Sequence, residues 1–307
     1  MMKGSGLKSR PVAILKGIHD LRHHTAHRQK RSWHPLGGRS LLPAWLLLSM
    51  VLDLTICLAQ APTAADEMRA GVLAYKFLDY PAAVEHFKTA LSINPDLTQA
   101  RLFLATAYAQ QYIAGDDSAA NIAVAQQAIE EFKKVLNDDP TETEKYKSVV
   151  PIASLSFNLK HFDEARDYYG KAIELNPAEA RNFFSIAVID WTEAYKSRTK
   201  VREELGLSES EMISTPSACV ALRATNQQKV EDGIQRLQKA LELQPDNDDA
   251  MGYTNLLYRE RAEYECDDPE TRKADLKTAD EWVDKAIAAK KTKVGHEAAE
   301  KAAPKQP

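Results

Sequence analysis

The sequence predicts an all-α chain built as an α-solenoid, a row of about five stacked helix-turn-helix hairpins with insertions. Glycine is sparse, with 12 in 307 residues. Ala, Leu, Glu, Lys and Gln recur through long stretches without the apolar alternation that is typical of strands. Short segments with one order of small and bulky residues also recur, and each is closed by a proline. Such recurrence indicates a repeat architecture, in which neighbouring hairpins share one continuous core.

The chain begins with a basic leader, residues 1–40, which lacks the periodicity of a core-forming segment and which we expect to be disordered. It holds nine Lys and Arg against a single acidic residue, whereas residues 41–307 hold 31 basic and 43 acidic residues. Binding to a phosphate backbone requires clustered Lys and Arg on the folded surface. The acidic body of the chain therefore predicts that nucleic acid is not a partner.

An apolar segment at residues 41–61 follows the basic leader and ends in small residues, a combination that is typical of an export signal. Because the basic residues precede the apolar run, everything after it is expected outside the cytoplasm, in the periplasm or on the outer face of the cell envelope. Three endings stay open: cleavage after Ala61 or Ala65, lipidation at Cys57, or retention of residues 41–59 as a membrane anchor. Retention would place Asp53 near the bilayer centre, at a cost of roughly 2.5–3.5 kcal/mol.

Four segments carry the recurring pattern most clearly. Each begins with a small residue, has a bulky residue four positions later and a small or slim one three positions after that, and ends at a proline five positions further on. Small residues allow two helices to approach closely, and proline ends the second helix. The four segments are residues 83–95, 128–140, 165–177 and 233–245.

This pattern resembles the second helix and closing turn of the tetratricopeptide repeat, a helix-turn-helix unit of about 34 residues. Gly71, Ala105, Ala153 and Ala187 match the small position of the first helix, although Asp190 stands where an aromatic residue is usual. The resemblance, which is to bacterial exported proteins of undefined role, predicts an array over residues 66–289 and a disordered tail over 290–307. The repeats are expected near 66–97, 98–142, 143–179, 180–247 and 248–289.

The spacing of the closing prolines locates the insertions. Pro95, Pro140, Pro177 and Pro245 are separated by 45, 37 and 68 residues. Against a unit of about 34 residues, the largest excess lies in repeat four. A segment at about 196–224 is thus predicted either to extend or to interrupt that repeat.

The resemblance implies a concave groove lined by the first helix of each repeat, where a protein or peptide partner would bind. Phe157, Phe184 and Trp191 would form an aromatic patch there, unless the long insertion fills the groove and covers them. The alternative function is a structural spacer in a cell-envelope assembly, which makes its contacts through the convex face or through residues 196–224. The predicted groove residues are Leu102, Thr106, Val150, Ser154, Phe157, Phe184, Val188, Trp191, Leu256 and Arg259.

Cysteine use predicts one disulfide bond. Cys57 lies in the export segment, which leaves Cys219 and Cys266 as a pair in an oxidising compartment. Cys219 begins the second helix of repeat four and Cys266 follows the first helix of repeat five, so both lie on one side of the helix layer. The expected role of the bond is to hold the long insertion in place.

The sequence predicts a chain that is not an enzyme and that binds no cofactor or metal. It contains no nucleotide-binding glycine loop, no His-Glu-x-x-His motif and no Gly-x-Ser-x-Gly motif. The acidic runs at 246–249 and 267–270 lack the glycine and distal glutamate of a calcium-binding loop. Both runs precede predicted helices, where acidic side chains cap free amides.

Overall fold

The computed structural model describes residues 61–208 and 211–302, with side chains as far as residue 296, and all regular structure in these ranges is α-helical. The predicted all-α fold is confirmed. The predictions for the leader, for residues 41–60 and for the last five residues lie outside the described residues. The helices are α1 (Ala64–Lys76), α2 (Tyr80–Ile93), α3 (Thr98–Gln111), α4 (Ala119–Asn137), α5 (Glu142–Asn158), α6 (Phe162–Leu175), α7 (Ala180–Leu205), α8 (Pro216–Leu243), α9 (Asp248–Tyr264) and α10 (Pro269–Ala302).

These helices form five hairpins in chain order, and each helix packs against the next one along the chain. Contacts also join the first helices of neighbouring hairpins, α1 with α3, α3 with α5 and α7 with α9. The connections are short because sequence-local caps begin the helices. Thr63 and Thr141, for example, each form a capping box with an acidic residue three positions on. None of the helices in the described part of the chain combines the length and apolar character that a membrane crossing requires.

Small residues set the spacing within the hairpins, as the repeat pattern predicts. Gly71 of α1 is buried against Phe87 of α2, and a Cβ atom at position 71 would lie 2.6 Å from the Phe87 ring. Gly233 of α8 has the same role between hairpins four and five, since a Cβ atom there would lie 2.8 Å from the Leu257 side chain of α9. A side chain at either position would overlap its neighbour, so the two helices would have to separate.

We expect Gly71→Ala to destabilise the first hairpin by about 1–3 kcal/mol, because the added methyl group displaces the buried Phe87 ring. Urea denaturation of the variant measures the loss. Gly170→Ala is the matched control, since a Cβ at that helical position meets nothing within 4 Å. Equal stability of the two variants would contradict the packing described here.

Repeat four contains the longest hairpin, in which α7 has 26 residues and α8 has 28. The predicted insertion at 196–224 therefore extends the two helices and does not interrupt the repeat. Gly206 ends α7 in the left-handed conformation, with φ of 67°. The loop after it is tied to the next hairpin through Ile213, which is fully buried. The Ile213 amide donates to Glu263 at 3.1 Å, and its carbonyl accepts from Arg272 at 2.7 Å.

The predicted disulfide bond is present. Cys219 in the first turn of α8 is bonded to Cys266 in the turn between α9 and α10, with their Cα atoms 6.0 Å apart. Cys219 is almost fully buried. The bond therefore connects repeat four to repeat five at the same end as the α7–α8 loop.

The last helix differs from the sequence-based boundary. The array was predicted to end near residue 289, whereas α10 continues to Ala302. Residues 290–302 are rich in alanine and lysine, which are strong helix formers, and a helix can extend through them without a core to cover it. Lys293 of this extension lies 3.6 Å from Asp248 at the start of α9.

Three clusters of buried side chains make up the apolar core. The first joins hairpins one and two to the start of hairpin three, and includes Phe87 and Phe132. A second, around Tyr169 and Ile189, lies where hairpins three and four meet. The third belongs to hairpins four and five and includes Leu237 and Tyr264. Each cluster is thus shared between neighbouring hairpins, as a repeat array requires.

Candidate binding groove

The predicted groove residues lie on the first helices of hairpins two to five, namely α3, α5, α7 and α9. Val188 is buried with 8% exposure, Arg259 is exposed, and the remaining predicted positions are partly exposed. Thr106 turns its hydroxyl inward, where it donates to the Leu102 carbonyl at 2.7 Å. Most of the predicted positions therefore present some surface, and Val188 packs into the core.

Aromatic rings form a continuous row across α7 and α9. The Phe184 and Tyr253 rings lie 5.4 Å apart, Tyr253 and Trp191 lie 5.3 Å apart, and Trp191 and Tyr195 lie 5.2 Å apart. All four rings keep part of their surface exposed, and Tyr195 is 44% exposed. We call these four residues the aromatic row. Their edge-to-face and tilted contacts are geometries that aromatic pairs prefer.

Phe157, the third residue of the expected aromatic patch, pairs with a ring outside the aromatic row. Phe157 pairs with Phe162 at 5.9 Å and packs in the cluster between hairpins three and four. The reason is local, since Phe162 begins the next helix and lies across a short turn from Phe157. Phe184 and Trp191 are therefore adjacent through Tyr253, whereas Phe157, which is also partly exposed, packs against a different cluster.

The sequence-based prediction missed Tyr195 and Tyr253. Tyr195 lies four positions after Trp191, so helical spacing alone places the two rings on one face of α7. Tyr253 carries no such signal, because its contact with Phe184 and Trp191 depends on how α9 packs against α7. Burial raises the pKa of Tyr253, and the nearby Asp249 charge adds to the rise.

A buried tyrosine connects α5 and α7 beside the row. Tyr169 of α6 is 5% exposed and belongs to the cluster between hairpins three and four. Burial raises the pKa of Tyr169, and hydrogen bonding from Ser185 of α7 and Ser154 of α5 partly opposes the rise. The predicted groove residue Ser154 therefore lies near a buried hydroxyl group.

Charged side chains flank the aromatic row. A cleft of about 520 Å³ at the start of α7 and α9 is lined by Arg181, Phe184, Asp248 and Lys293, among others. Arg259, further along α9, donates to Asn255 at 2.8 Å and to Asp280 at 2.6 Å. The row is therefore an apolar strip with charged groups of both signs around it, which suits a peptide with apolar side chains and a polar backbone.

The unusual Asp190 has a structural role. Its carboxylate is 3% exposed and accepts hydrogen bonds from Arg166 of α6 at 3.0 Å and from Arg236 of α8 at 2.8 Å. Burial raises the pKa of Asp190, and the two guanidinium groups oppose the rise. At a position where the tetratricopeptide repeat usually has an aromatic residue, this chain therefore has an ion-paired carboxylate that joins hairpins three and four.

Reactive side chains are dispersed in the part of the chain that the structure describes. No three His, Cys, Asp or Glu side chains converge there in a way that could hold a metal ion. Of the histidines, His86 pairs with Glu67 at 2.7 Å, and His161 lies 4.0 Å from Glu164 in a turn.

Comparison with known proteins agrees with the hairpin geometry. The family model of the tetratricopeptide repeat matches residues 150–179, which span most of α5 and all of α6. Residues 150–179 therefore carry a tetratricopeptide repeat. The matched unit lies in hairpin three, and hairpins one, two, four and five repeat its arrangement with helices of 13 to 34 residues.

The chain is also similar to solved protein structures, at low sequence identity. The crystal structure of MamA is 17% identical, covers 80% of this chain and 98% of its own, and has a TM-score of 0.50. MamA from Desulfovibrio magneticus RS-1, residues 41 to the end, is 16% identical, with 75% and 96% covered and a TM-score of 0.49. YrrB, described as a tetratricopeptide-repeat protein with an unusual peptide-binding site, is 15% identical, with 74% and 92% covered and a TM-score of 0.45. No curated protein sequence matches the chain.

Proposed function

We propose that this tetratricopeptide-repeat protein is an exported scaffold that binds a protein or peptide partner along the aromatic row. The observation that carries the proposal is the unbroken contact of Phe184, Tyr253, Trp191 and Tyr195 on the first helices of hairpins four and five. Partly exposed aromatic side chains dominate binding energy at protein interfaces, because they bury a large area with few rotatable bonds. The long insertion extends hairpin four and leaves the row accessible.

The proposed export rests on the leader and on the disulfide bond. The basic stretch, apolar segment and small residues of positions 1–61 have the order of a secretory signal. The Cys219–Cys266 bond would persist in the periplasm or outside the cell, where thiols are not kept reduced. Fractionation of cells and mass spectrometry of the purified protein test this proposal. A start at Pro62 or Asp66 indicates cleavage, a lipid on Cys57 indicates lipidation, and an intact leader in the cytoplasm would contradict export.

The double variant Phe184→Ala/Trp191→Ala is expected to weaken partner binding by about 30-fold or more, since loss of an aromatic hot spot costs about 2 kcal/mol or more. Affinity purification from envelope extracts identifies the partner, and titration of the purified pair measures the dissociation constant. Tyr168→Ala is the matched control, because it removes a half-buried ring from α6, a second helix. Circular dichroism checks that each variant keeps its helix content.

Retention of the partner by Phe184→Ala/Trp191→Ala, together with its loss in Tyr168→Ala, would exclude the aromatic row as the binding surface. The structural spacer function would then be favoured, and one observation indicates where such a spacer would contact its partner. A cleft of about 820 Å³ runs along the extended part of α7, lined by Tyr195, Lys196, Lys200 and Lys229 among others. Charge reversal at Lys196 and Lys200 would remove a partner that binds there and leave a partner of Phe184 and Trp191 in place.

A further inference from the structure

The first hairpin exposes an apolar surface at the N-terminal end of the hairpin array. Leu73, Phe77 and Leu78 are 56%, 77% and 63% exposed. Met68, Val72 and Leu73 line a shallow cleft of about 290 Å³ on α1, together with Arg69 and Lys76. Contiguous exposed apolar side chains of this size mark interaction sites on soluble proteins. We call the five apolar residues the end surface.

The repeat shows how the corresponding positions are used in later hairpins. Leu73 follows the small residue Gly71 by two positions, and its equivalents in hairpins two, three and four are 0%, 5% and 0% exposed. The equivalent in hairpin three packs with Ile129 and Phe132 of the preceding hairpin. In later hairpins this position is therefore covered by the neighbour before it, and α1 has no such neighbour among the described residues. The equivalents are Ala107, Leu155 and Ile189.

Leu78 supports the same conclusion from the backbone. It has a φ of 62°, in the left-handed region that favours glycine and asparagine, and its side chain is exposed. The equivalent turn residue in hairpin three is Lys160, with a φ of 64° and a polar side chain that suits solvent. Leucine does not lower the conformational cost of this positive φ as glycine would, and its side chain does not join the core. The exposed side chain is therefore available for a contact outside the hairpin.

The C-terminal end of the hairpin array has a more polar surface. The exposed side chains of α10 are mostly charged or polar, among them Lys273, Lys277, Asp280, Asp284 and Lys291, and its exposed large apolar side chains are Ile287 and Val294, seven positions apart. A charged outer helix is typical of the capping element that ends a repeat array. A head-to-tail contact would thus place the apolar end surface against charged groups, whereas contact between two end surfaces would cover both.

We propose that two copies of this chain associate through their end surfaces, α1 against α1, about a two-fold axis. In such an isologous contact each copy contributes the same patch, so Leu73, Phe77 and Leu78 of both are covered. Residues 41–59 do not cover the surface if they are removed or enter the membrane, a step that rests on the proposed export.

Sedimentation velocity over low to high micromolar concentrations tests the association, with the full-length gene expressed in an exporting host and the protein purified as that host processes it. The wild-type mass is expected to rise to twice that of the monomer. Phe77→Glu/Leu78→Glu is expected to remain monomeric with unchanged helix content, because both side chains are exposed. Val294→Glu is the matched control, since Val294 is 58% exposed on α10 at the other end.

A second measurement uses Leu73→Cys combined with Cys57→Ser, so that position 73 is the one free thiol beside the bonded pair Cys219 and Cys266. Two copies paired at α1 are expected to form a covalent dimer through position 73 under mild oxidation. A monomeric wild type, a dimer that persists in Phe77→Glu/Leu78→Glu, or a dimer lost in Val294→Glu would each overturn the proposal. These readouts are independent of partner capture by the aromatic row, so failure of one proposal is distinguishable from failure of the other.

Discussion

Replacing Cys219 and Cys266 together by alanine is expected to lower the free energy of unfolding of hairpins four and five by about 4 kcal/mol. The bond closes a sequence separation of 47 residues, and opening a loop of that length returns this much conformational entropy to the unfolded chain. Urea denaturation followed by circular dichroism measures the change. The effect is large because the bond is the covalent link between α8 and the turn that begins α10.

Treatment of the wild-type protein with a thiol reductant is expected to reproduce most of that loss. The same treatment of the double alanine variant should leave its denaturation midpoint unchanged, which separates loss of the bond from other effects of the reductant. An unchanged wild-type midpoint after verified reduction would show that the bond contributes little, and that the ion pairs around the loop hold it alone.

Arg198→Met is expected to destabilise the protein by about 3–5 kcal/mol, because it leaves a buried carboxylate without its partner. Arg198 of α7 donates two hydrogen bonds to Glu260 of α9, at 2.8 and 3.0 Å, and the Glu260 side chain is 3% exposed. Thermal or urea denaturation measures the loss. Lys277→Met is the control, since it breaks an exposed pair with Glu281 at 3.8 Å and should cost well under about 1 kcal/mol.

The cost of Arg198→Met should depend on pH. Burial raises the pKa of Glu260, and Arg198 is the largest opposing influence. Without Arg198, the folded state holds the Glu260 proton to higher pH than the unfolded state, whose pKa is near 4.5. Stability is then retained at low pH and lost as pH rises through the raised pKa. A penalty that is equal at about pH 5 and about pH 8 would contradict an unpaired, buried Glu260.

The order of small and bulky residues was sufficient to predict the hairpins, because helix-to-helix distance within a repeat depends on local sequence. Gly71 opposite Phe87 is one case, and the closing prolines mark the ends of the second helices. The Cys219–Cys266 bond was also predictable, since only two cysteines remain after the apolar segment and both occupy the same end of adjacent helices.

The details of the binding surface were less accessible to sequence reasoning. Tyr253 completes the aromatic row through packing between α7 and α9, and no local spacing encodes that contact. Phe157 was assigned to the groove by analogy with the family, and its pairing with Phe162 was not part of that prediction. Asp190, which stands where an aromatic residue is usual, is likewise compatible with burial only because Arg166 and Arg236 pair with its carboxylate. These two arginines come from separate helices.

The division of the core into three clusters affects how the array would respond to a bound partner. Elements that do not share buried contacts can open separately, each with its own local stability. A ligand held along α7 and α9 would slow amide hydrogen exchange in the cluster of Leu237 and Tyr264. The cluster of Phe87 and Phe132 would keep its own opening rate, because it shares no buried side chain with the other. A bound partner would thus protect the C-terminal hairpins against local opening, while the N-terminal hairpins would open, and be cleaved by proteases, at an unchanged rate.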